Sequence, residues 1–180
     1  MSVAVSDLDL VKGCLENNRQ AQETLYRNHA SKMYHICLSY AADRDTAKDI
    51  LQESFIKVFR SIQDFNPEKS LEGWIRRIVT NTAIDYYRRQ KRLRYFEDVN
   101  EKLNETALIP DDENKKFNTD FVLMHIKRLP EGARLVFHMF AVEGYSHKEI
   151  AGKLNISEGT SKSQFNRARS LLQEWLSPVT

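Results

Sequence analysis

Apolar residues recur along most of the chain at intervals of three and four, the repeat of a helix face, and no stretch alternates apolar and polar as a half-buried strand does. The spacing predicts a short first helix after Ser6 or Asp7 that buries Leu8, Val11 and Leu15. A longer helix from about Arg19 to Ala41 buries Leu25, His29 or Ala30, Met33, Cys37 and Leu38. A third, capped by Asp45, turns Ala47, Leu51, Phe55, Val58 and Ile62 inward. Phe65 to Ser70 is a loop, because Pro67 breaks a helix and Ser70 can cap the next one. The fourth helix runs from about Leu71 to Arg94 with Leu71, Trp74 or Ile75, Ile78, Thr82 and Tyr86 on its inner side.

The periodicity fades over residues 95–118, which are polar, acidic and contain Pro110, and this stretch reads as a flexible linker. Helical spacing returns near Thr119 with Phe121, Val122, His125, Ile126 and Leu129 on one side. Pro130 then opens a helix that buries Leu135, Val136, Met139 and Phe140. The fold class is therefore all-α, with two small helical domains at 1–94 and 119–180 joined by a flexible acidic linker, and no internal repeat.

The last part of the second domain has the pattern of a helix-turn-helix. Ser146 caps a short helix whose inner face is Ile150, Ala151 and Leu154. Asn155 stands at the turn, where its side chain tolerates a left-handed backbone. Ser157 caps the next helix, with Glu158 in its first turn and Phe165, Ala168, Leu172 and Trp175 inward. Lys162, Ser163, Asn166, Arg167 and Arg169 fall on the opposite side. An apolar stripe that anchors a helix, backed by a polar and basic stripe, suits insertion into a DNA major groove.

Composition adds little to this, but charge placement adds more. The formal net charge is only +2, so the whole chain is not a general polycation. Yet Arg76, Arg77, Arg88, Arg89, Lys91, Arg92 and Arg94 crowd one segment, and an acidic run follows them directly. Cys14 and Cys37 lack CxxC spacing and suit buried thiols in a reducing cytoplasm. No segment has the length and apolarity of a membrane span or a signal-peptide core, so a soluble cytoplasmic protein is expected. The five histidines are scattered without zinc-ligand spacing, and neither a glycine-rich phosphate loop nor a nucleophile elbow is present. The sequence implies no catalytic residue, metal or cofactor.

Two further helix faces carry chemistry. Asp49, Gln52, Glu53 and Ile56 share one side of the third helix. For an isolated helix this is an ordinary solvated face, but a mixed acidic, amide and apolar surface also suits a basic partner helix. The fourth helix places Arg77, Asn81, Asp85 and Arg88 at helical spacing, so that an amide faces base edges and guanidinium groups face phosphates. The preceding loop offers Asn66, Lys69 and Ser70, short polar groups suited to an extruded base. Phe65, Trp74, Tyr86 and Tyr87 flank this region and have the faces on which unpaired bases stack. Trp74 and Tyr86 read more simply as core, whereas Tyr87 fits either role.

Taken together, these residues resemble a sigma factor of bacterial RNA polymerase, of the small extracytoplasmic-function (ECF) class. The run Asp49-Ile50-Leu51-Gln52-Glu53-Ser54-Phe55 is similar to that family's polymerase-docking motif. Trp74-Ile75-Arg76-Arg77-Ile78, with Asn81, Asp85, Arg88 and Arg89, is similar to its promoter-melting helix. Leu129-Pro130-Glu131 through Arg167-Ala168-Arg169 resembles its region four. The resemblance implies that Asp49, Gln52, Glu53 and Ile56 contact the coiled coil of the beta-prime clamp of core RNA polymerase, with the beta subunit as a further contact. Asn66, Lys69, Ser70, Arg77, Asn81 and Arg88 would bind the melted minus-ten element. Lys162, Ser163 and Asn166 would read the minus-thirty-five element of promoter DNA, with Thr160, Arg167 and Arg169 on phosphates. An anti-sigma factor that clamps both domains is a further implied partner, and the acidic linker would lie near the polymerase active site and RNA exit path. The family's few melting aromatics imply weak melting and strict promoter choice.

The chain departs from the family pattern at three positions: Leu71 stands where Phe is common, Ser161 where Val is common, and Gln164 where a basic residue often sits. The last two bear on the preferred minus-thirty-five sequence. Beside the sigma-factor reading stand a helix-turn-helix regulator that binds only duplex DNA and an enzyme acting on nucleic acid. The docking motif and basic helix favour the first over the second, and the missing acid–base or metal constellation counts against the third.

Overall fold

A helix starts where a side-chain oxygen can take up the amides that its first turn leaves without partners. In the computed structural model, which describes residues 6–97 and 119–176, Ser6 does this for α1 (Asp7–Leu15), accepting from Asp9 N. Asn18 caps α2 (Arg19–Tyr40), accepting from Gln20 N and Ala21 N. Asp43 caps α3 (Arg44–Arg60), accepting from Thr46 N at 2.7 Å. The cap of α3 is thus Asp43 and not Asp45, which lies in the first turn and pairs with Lys48 at 2.8 Å. Two acids two residues apart are indistinguishable as caps in sequence, and only the extended backbone at Asp43 decides between them. A 3₁₀ turn, Ile62–Asp64, leads to the loop before α4 (Leu71–Glu97). Ser70 Oγ accepts from Gly73 N at 3.2 Å and caps α4 as expected.

Contacts divide the chain into two compact units, Met1–Arg92 and Leu93–Thr180. In the first, α2 packs on both α1 and α3. Its core holds Leu25, Met33, Cys37 and Tyr40 from α2, Ile50, Phe55 and Val58 from α3, and Leu71, Ile75, Val79 and Ala83 from α4. His29, and not Ala30, is the fully buried alternative on α2, and Ile75 takes the core position that Trp74 might have filled. Trp74, Ile78 and Tyr86 are half-buried. On α1 the buried residues are Leu10, Val11 and Cys14, whereas Leu8 and Leu15 are about half exposed (47% and 48%). Leu8, Val11 and Leu15 fit helical spacing equally well, but α1 is rotated so that Cys14 serves as the second anchor. α4 continues to Glu97, three residues past the expected end, and the rest of the acidic segment read as a linker lies outside the described residues.

The second unit begins with α5 (Thr119–Arg128) and α6 (Glu131–Phe137), with Pro130 as the N-cap of α6 and not its first residue. α6 widens into a π-helical turn, His138–Val142, in which Met139 is buried but Phe140 is 37% exposed, against the expectation that it joins the core. The wider turn shifts the side-chain phase, which a 3.6-residue pattern cannot register. α7 (His147–Leu154) opens on a full capping box: Glu149 N donates to Ser146 Oγ, and Ser146 N donates to the Glu149 carboxylate at 2.8 Å. It closes at Asn155, whose φ of 54° and ψ of 50° are left-handed. α8 (Glu158–Leu176) is capped by Ser157, whose Oγ accepts from Thr160 N at 2.9 Å. Leu129, Ala133, Ala168 and Leu172 form the core here, covered by Ile126, Phe137, Leu171, Trp175 and Leu176. Phe165 and Trp175 lie at the margin of this core, half-buried. Among the described residues no strand is present.

Candidate nucleic-acid and partner surfaces

On α3, Asp49 and Gln52 are exposed and Ile56 is half exposed (50%), so these three form an open acidic, amide and apolar face. Glu53, a turn along from Asp49, has a different environment. Its carboxylate oxygens accept from Lys57 Nζ and from Arg89 Nη2, each at 3.0 Å. Burial pushes the Glu53 pKa up, but the hydrogen bonds and charges of Lys57 and Arg89 outweigh it and hold the carboxyl below its usual range. Lys57 also donates to Thr82 Oγ1 at 3.2 Å, so α3 is tied to α4 at two points beside its open face. The four-residue spacing of Glu53 and Lys57 is legible in sequence. Nothing local signals Arg89, which is 36 residues away.

On α4, Arg77 and Asp85 are exposed, and Asn81 and Arg88 are half-buried on the same side. Arg88 lies 3.9 Å from Asp85, and the Arg89 guanidinium sits 6.0 Å from the centre of the Tyr86 ring. Tyr86 accepts a hydrogen bond from Gln90 Nε2 at 3.0 Å, and Tyr87 is half-buried. In the preceding loop Asn66, Lys69 and Ser70 are exposed. Two of them also shape the loop itself: Asn66 Oδ1 accepts from Glu68 N at 2.9 Å and Ser70 caps α4. Phe65 is buried and meets Trp74 edge-on at 5.6 Å, so it supports the loop and is not an open stacking face.

On α8, Thr160, Lys162, Ser163, Asn166, Arg167 and Arg169 are all exposed. Lys162 Nζ is 2.8 Å from the Glu158 carboxylate, and this ammonium lowers the Glu158 pKa. Ser163 Oγ donates to Thr160 O at 3.0 Å, and Thr160 Oγ1 lies 2.8 Å from Ser157 Oγ. Ser161 lies on the other side. It is fully buried, so it cannot present its hydroxyl to a base, and its departure from the family pattern acts inside the domain. Gln164 is half-buried with its amide next to Gly132 of α6. Sequence reasoning missed His147 altogether as a contributor to this surface. It is the first residue of α7, half-buried, with Nδ1 3.0 Å from Ser161 Oγ.

Comparison with known proteins covers both units. Residues 25–93 match the Sigma-70 region 2 family and residues 122–172 the Sigma-70 region 4 family. The chain is 32% identical over 159 residues to the ECF RNA polymerase sigma factor SigE of Mycolicibacterium smegmatis, a stretch of 86% of this chain and 61% of that protein. It is 29% identical to the ECF RNA polymerase sigma-E factor of Haemophilus influenzae across 99% of this chain and 100% of the relative. With the RNA polymerase sigma factor SigZ of Bacillus subtilis the identity is 35% over 74% of each chain. The chain belongs to the ECF sigma factor family. Two solved structures share its fold at 22% identity: CnrH in complex with the cytosolic domain of CnrY, with a TM-score of 0.50 over 95% of this chain and 97% of that one, and the sigma factor RpoE of Bartonella quintana in complex with the anti-sigma factor NepR, with a TM-score of 0.54 over 88% and 98%. As a sigma factor the protein is a non-enzymatic initiation factor that binds core RNA polymerase and promoter DNA, which sets aside the duplex-only regulator and the nucleic-acid enzyme.

Proposed function

We propose that this sigma factor docks on the beta-prime clamp through Asp49, Gln52, Glu53 and Ile56 of α3. Asn66, Lys69, Ser70, Arg77, Asn81 and Arg88 then bind the melted minus-ten strand. Lys162, Ser163 and Asn166 read the minus-thirty-five element from the major groove, with Thr160, Arg167 and Arg169 on its phosphates. The beta subunit supplies a further contact, and the factor works in the bacterial cytoplasm, where the polymerase is. Among the described residues no helix is long and apolar enough to cross a membrane.

The observation that carries this reading is the sorting of α8. Every α8 residue assigned to DNA is exposed, while Ser161 and Ala168 between them, and Leu172 after them, are buried. An exposed amide at Asn166 has both a donor and an acceptor for an adenine edge, and Lys162 can exchange the Glu158 carboxylate for a guanine acceptor. An anti-sigma partner is supported by the fold shared with RpoE, whose structure holds one. It would have to cover the α3 face, the α8 face, or both.

The test is transcription in vitro from a randomised promoter library, using core polymerase with and without the chain. Sequence-specific transcripts that depend on the chain are expected. Asp49→Lys and Glu53→Lys should abolish them by losing core polymerase binding, and Asn166→Ala should keep core binding but flatten the minus-thirty-five consensus. Unchanged core binding by both α3 variants would remove α3 from the docking surface.

A further inference from the structure

Ser161 of α8 and His147 of α7 are hydrogen-bonded side chain to side chain, with Nδ1 and Oγ 3.0 Å apart and the direction of the bond following the imidazole tautomer. Two aromatic rings flank the imidazole. Phe140 stacks on the imidazole at 4.5 Å and 17°, and Phe165 meets it edge-on at 5.8 Å. Ile150 and Leu154 of α7 and Ala168 and Leu172 of α8 are buried in the same unit. Apolar packing sets how near two helices lie but is tolerant of small rotations, because it has no preferred direction. A hydrogen bond weakens steeply away from its axis. Ser161 lies between Thr160 and Lys162 in the chain, so any roll of α8 about its axis at this point displaces Lys162 and Ser163 directly.

We infer that the His147–Ser161 bond sets the roll of the recognition helix, and that these two residues determine minus-thirty-five specificity as positioning residues, without touching DNA. The inference rests on the proposed reading of α8 as the minus-thirty-five reader. It gives the serine at position 161 a role that a valine could fill only by packing. It also joins specificity to the π-helical turn, since Phe140, whose ring holds the imidazole flat, comes from that segment.

Two substitutions at His147 separate positioning from packing. His147→Phe keeps a ring for Phe140 to stack on but has no atom that bonds the hydroxyl. His147→Asn loses the ring but places an amide atom near the position of Nδ1. Each is assembled with core polymerase as the full chain, and base preference at each minus-thirty-five position is measured by sequencing transcripts from a randomised library, beside the thermal midpoint of the free chain. Ser161→Val and Asn166→Ala are run in parallel. Positioning predicts that His147→Phe and Ser161→Val each lose about fivefold in discrimination, the loss that one hydrogen bond supports, while His147→Asn stays close to wild type. A packing role predicts the reverse order, with His147→Phe unchanged and His147→Asn impaired in proportion to its thermal midpoint, and that result overturns the inference. If Asn166→Ala also leaves the preference unchanged, α8 is not the reader and the underlying proposal falls. If Asn166→Ala alters the preference and His147→Phe does not, only the positioning role falls.

Discussion

Single residues hold this fold at points where ordinary chain geometry would not. Asn155 occupies the left-handed region, with φ at 54°, at the turn of the helix-turn-helix. A residue with a plain Cβ is strained there by about 1–2 kcal/mol, whereas glycine is not. Asn155→Ala should therefore lower the stability of the second unit by roughly that amount, and Asn155→Gly should leave it close to wild type, as read by urea denaturation; equal losses in both would mean that the asparagine side chain, and not the backbone, is what matters. His29 is a different residue-level case. It is buried in the first unit with neither ring nitrogen hydrogen-bonded. Burial is the largest influence on it and lowers its pKa, the nearby Asp7 and Glu72 carboxylates act to raise it, and Lys32 lowers it further. Below the ordinary imidazole value of about 6.5 the unfolded chain takes up a proton that the folded chain resists. The folded state should thus lose stability as pH falls through that value toward the lower folded one. Denaturation at pH 7.5 and pH 5.5 should show this loss in the wild type and a smaller one in His29→Leu, and an identical acid loss in both proteins would sink the assignment.

At the level of helices, two glycines make opposite predictions. A Cβ at Gly13 of α1 would sit 2.5 Å from the Ala21 Cβ of α2, so Gly13→Ala must push α1 away and should cost about 1–3 kcal/mol. A Cβ at Gly152 of α7 meets nothing within 4 Å, so Gly152→Ala should stabilise by about 0.5–1 kcal/mol through helix propensity alone. Thermal midpoints of the two variants should therefore move in opposite directions. The same contrast explains what was legible in the chain beforehand. Periodicity reveals every long helix, and the caps Ser70, Ser146 and Ser157 are visible because a serine beside a helical pattern has few competing roles, whereas the start of α1 stays open between Ser6 and Asp7 until the structure places the cap at Ser6. Asn155 was visible because a left-handed turn selects for few residue types. Rotation about a helix axis was less legible. α1 buries Leu10, Val11 and Cys14 in place of the Leu8 and Leu15 stripe, and Phe140 leaves the core because a π-turn changes the repeat. In the candidate sites, exposed polar faces could be read from spacing, since a helix face is a local property. Arg89 as a partner of Glu53 and His147 as a partner of Ser161 could not, because they arrive from other elements.

For the whole molecule, the distribution of function over two units matters more than the net charge of +2. Asn81 sits on α4 of the first unit and Asn166 on α8 of the second, and under the proposed function they read separate promoter elements. Sites with no shared partner normally contribute independently, with free energies that add to within about 0.3–0.5 kcal/mol. Each asparagine that pairs with a base should be worth about 1–3 kcal/mol of discrimination. In holoenzyme assembled from the full chain, Asn81→Ala should therefore weaken selection at the minus-ten element only and Asn166→Ala at the minus-thirty-five element only. The double variant should show the sum of the two losses in open-complex formation on a promoter carrying both elements. A double variant no worse than the weaker single variant would mean that one element is read only after the other is engaged. Two helical units would then act as one conditional reader, and the promoter would be selected by the order of contact as well as by its sequence.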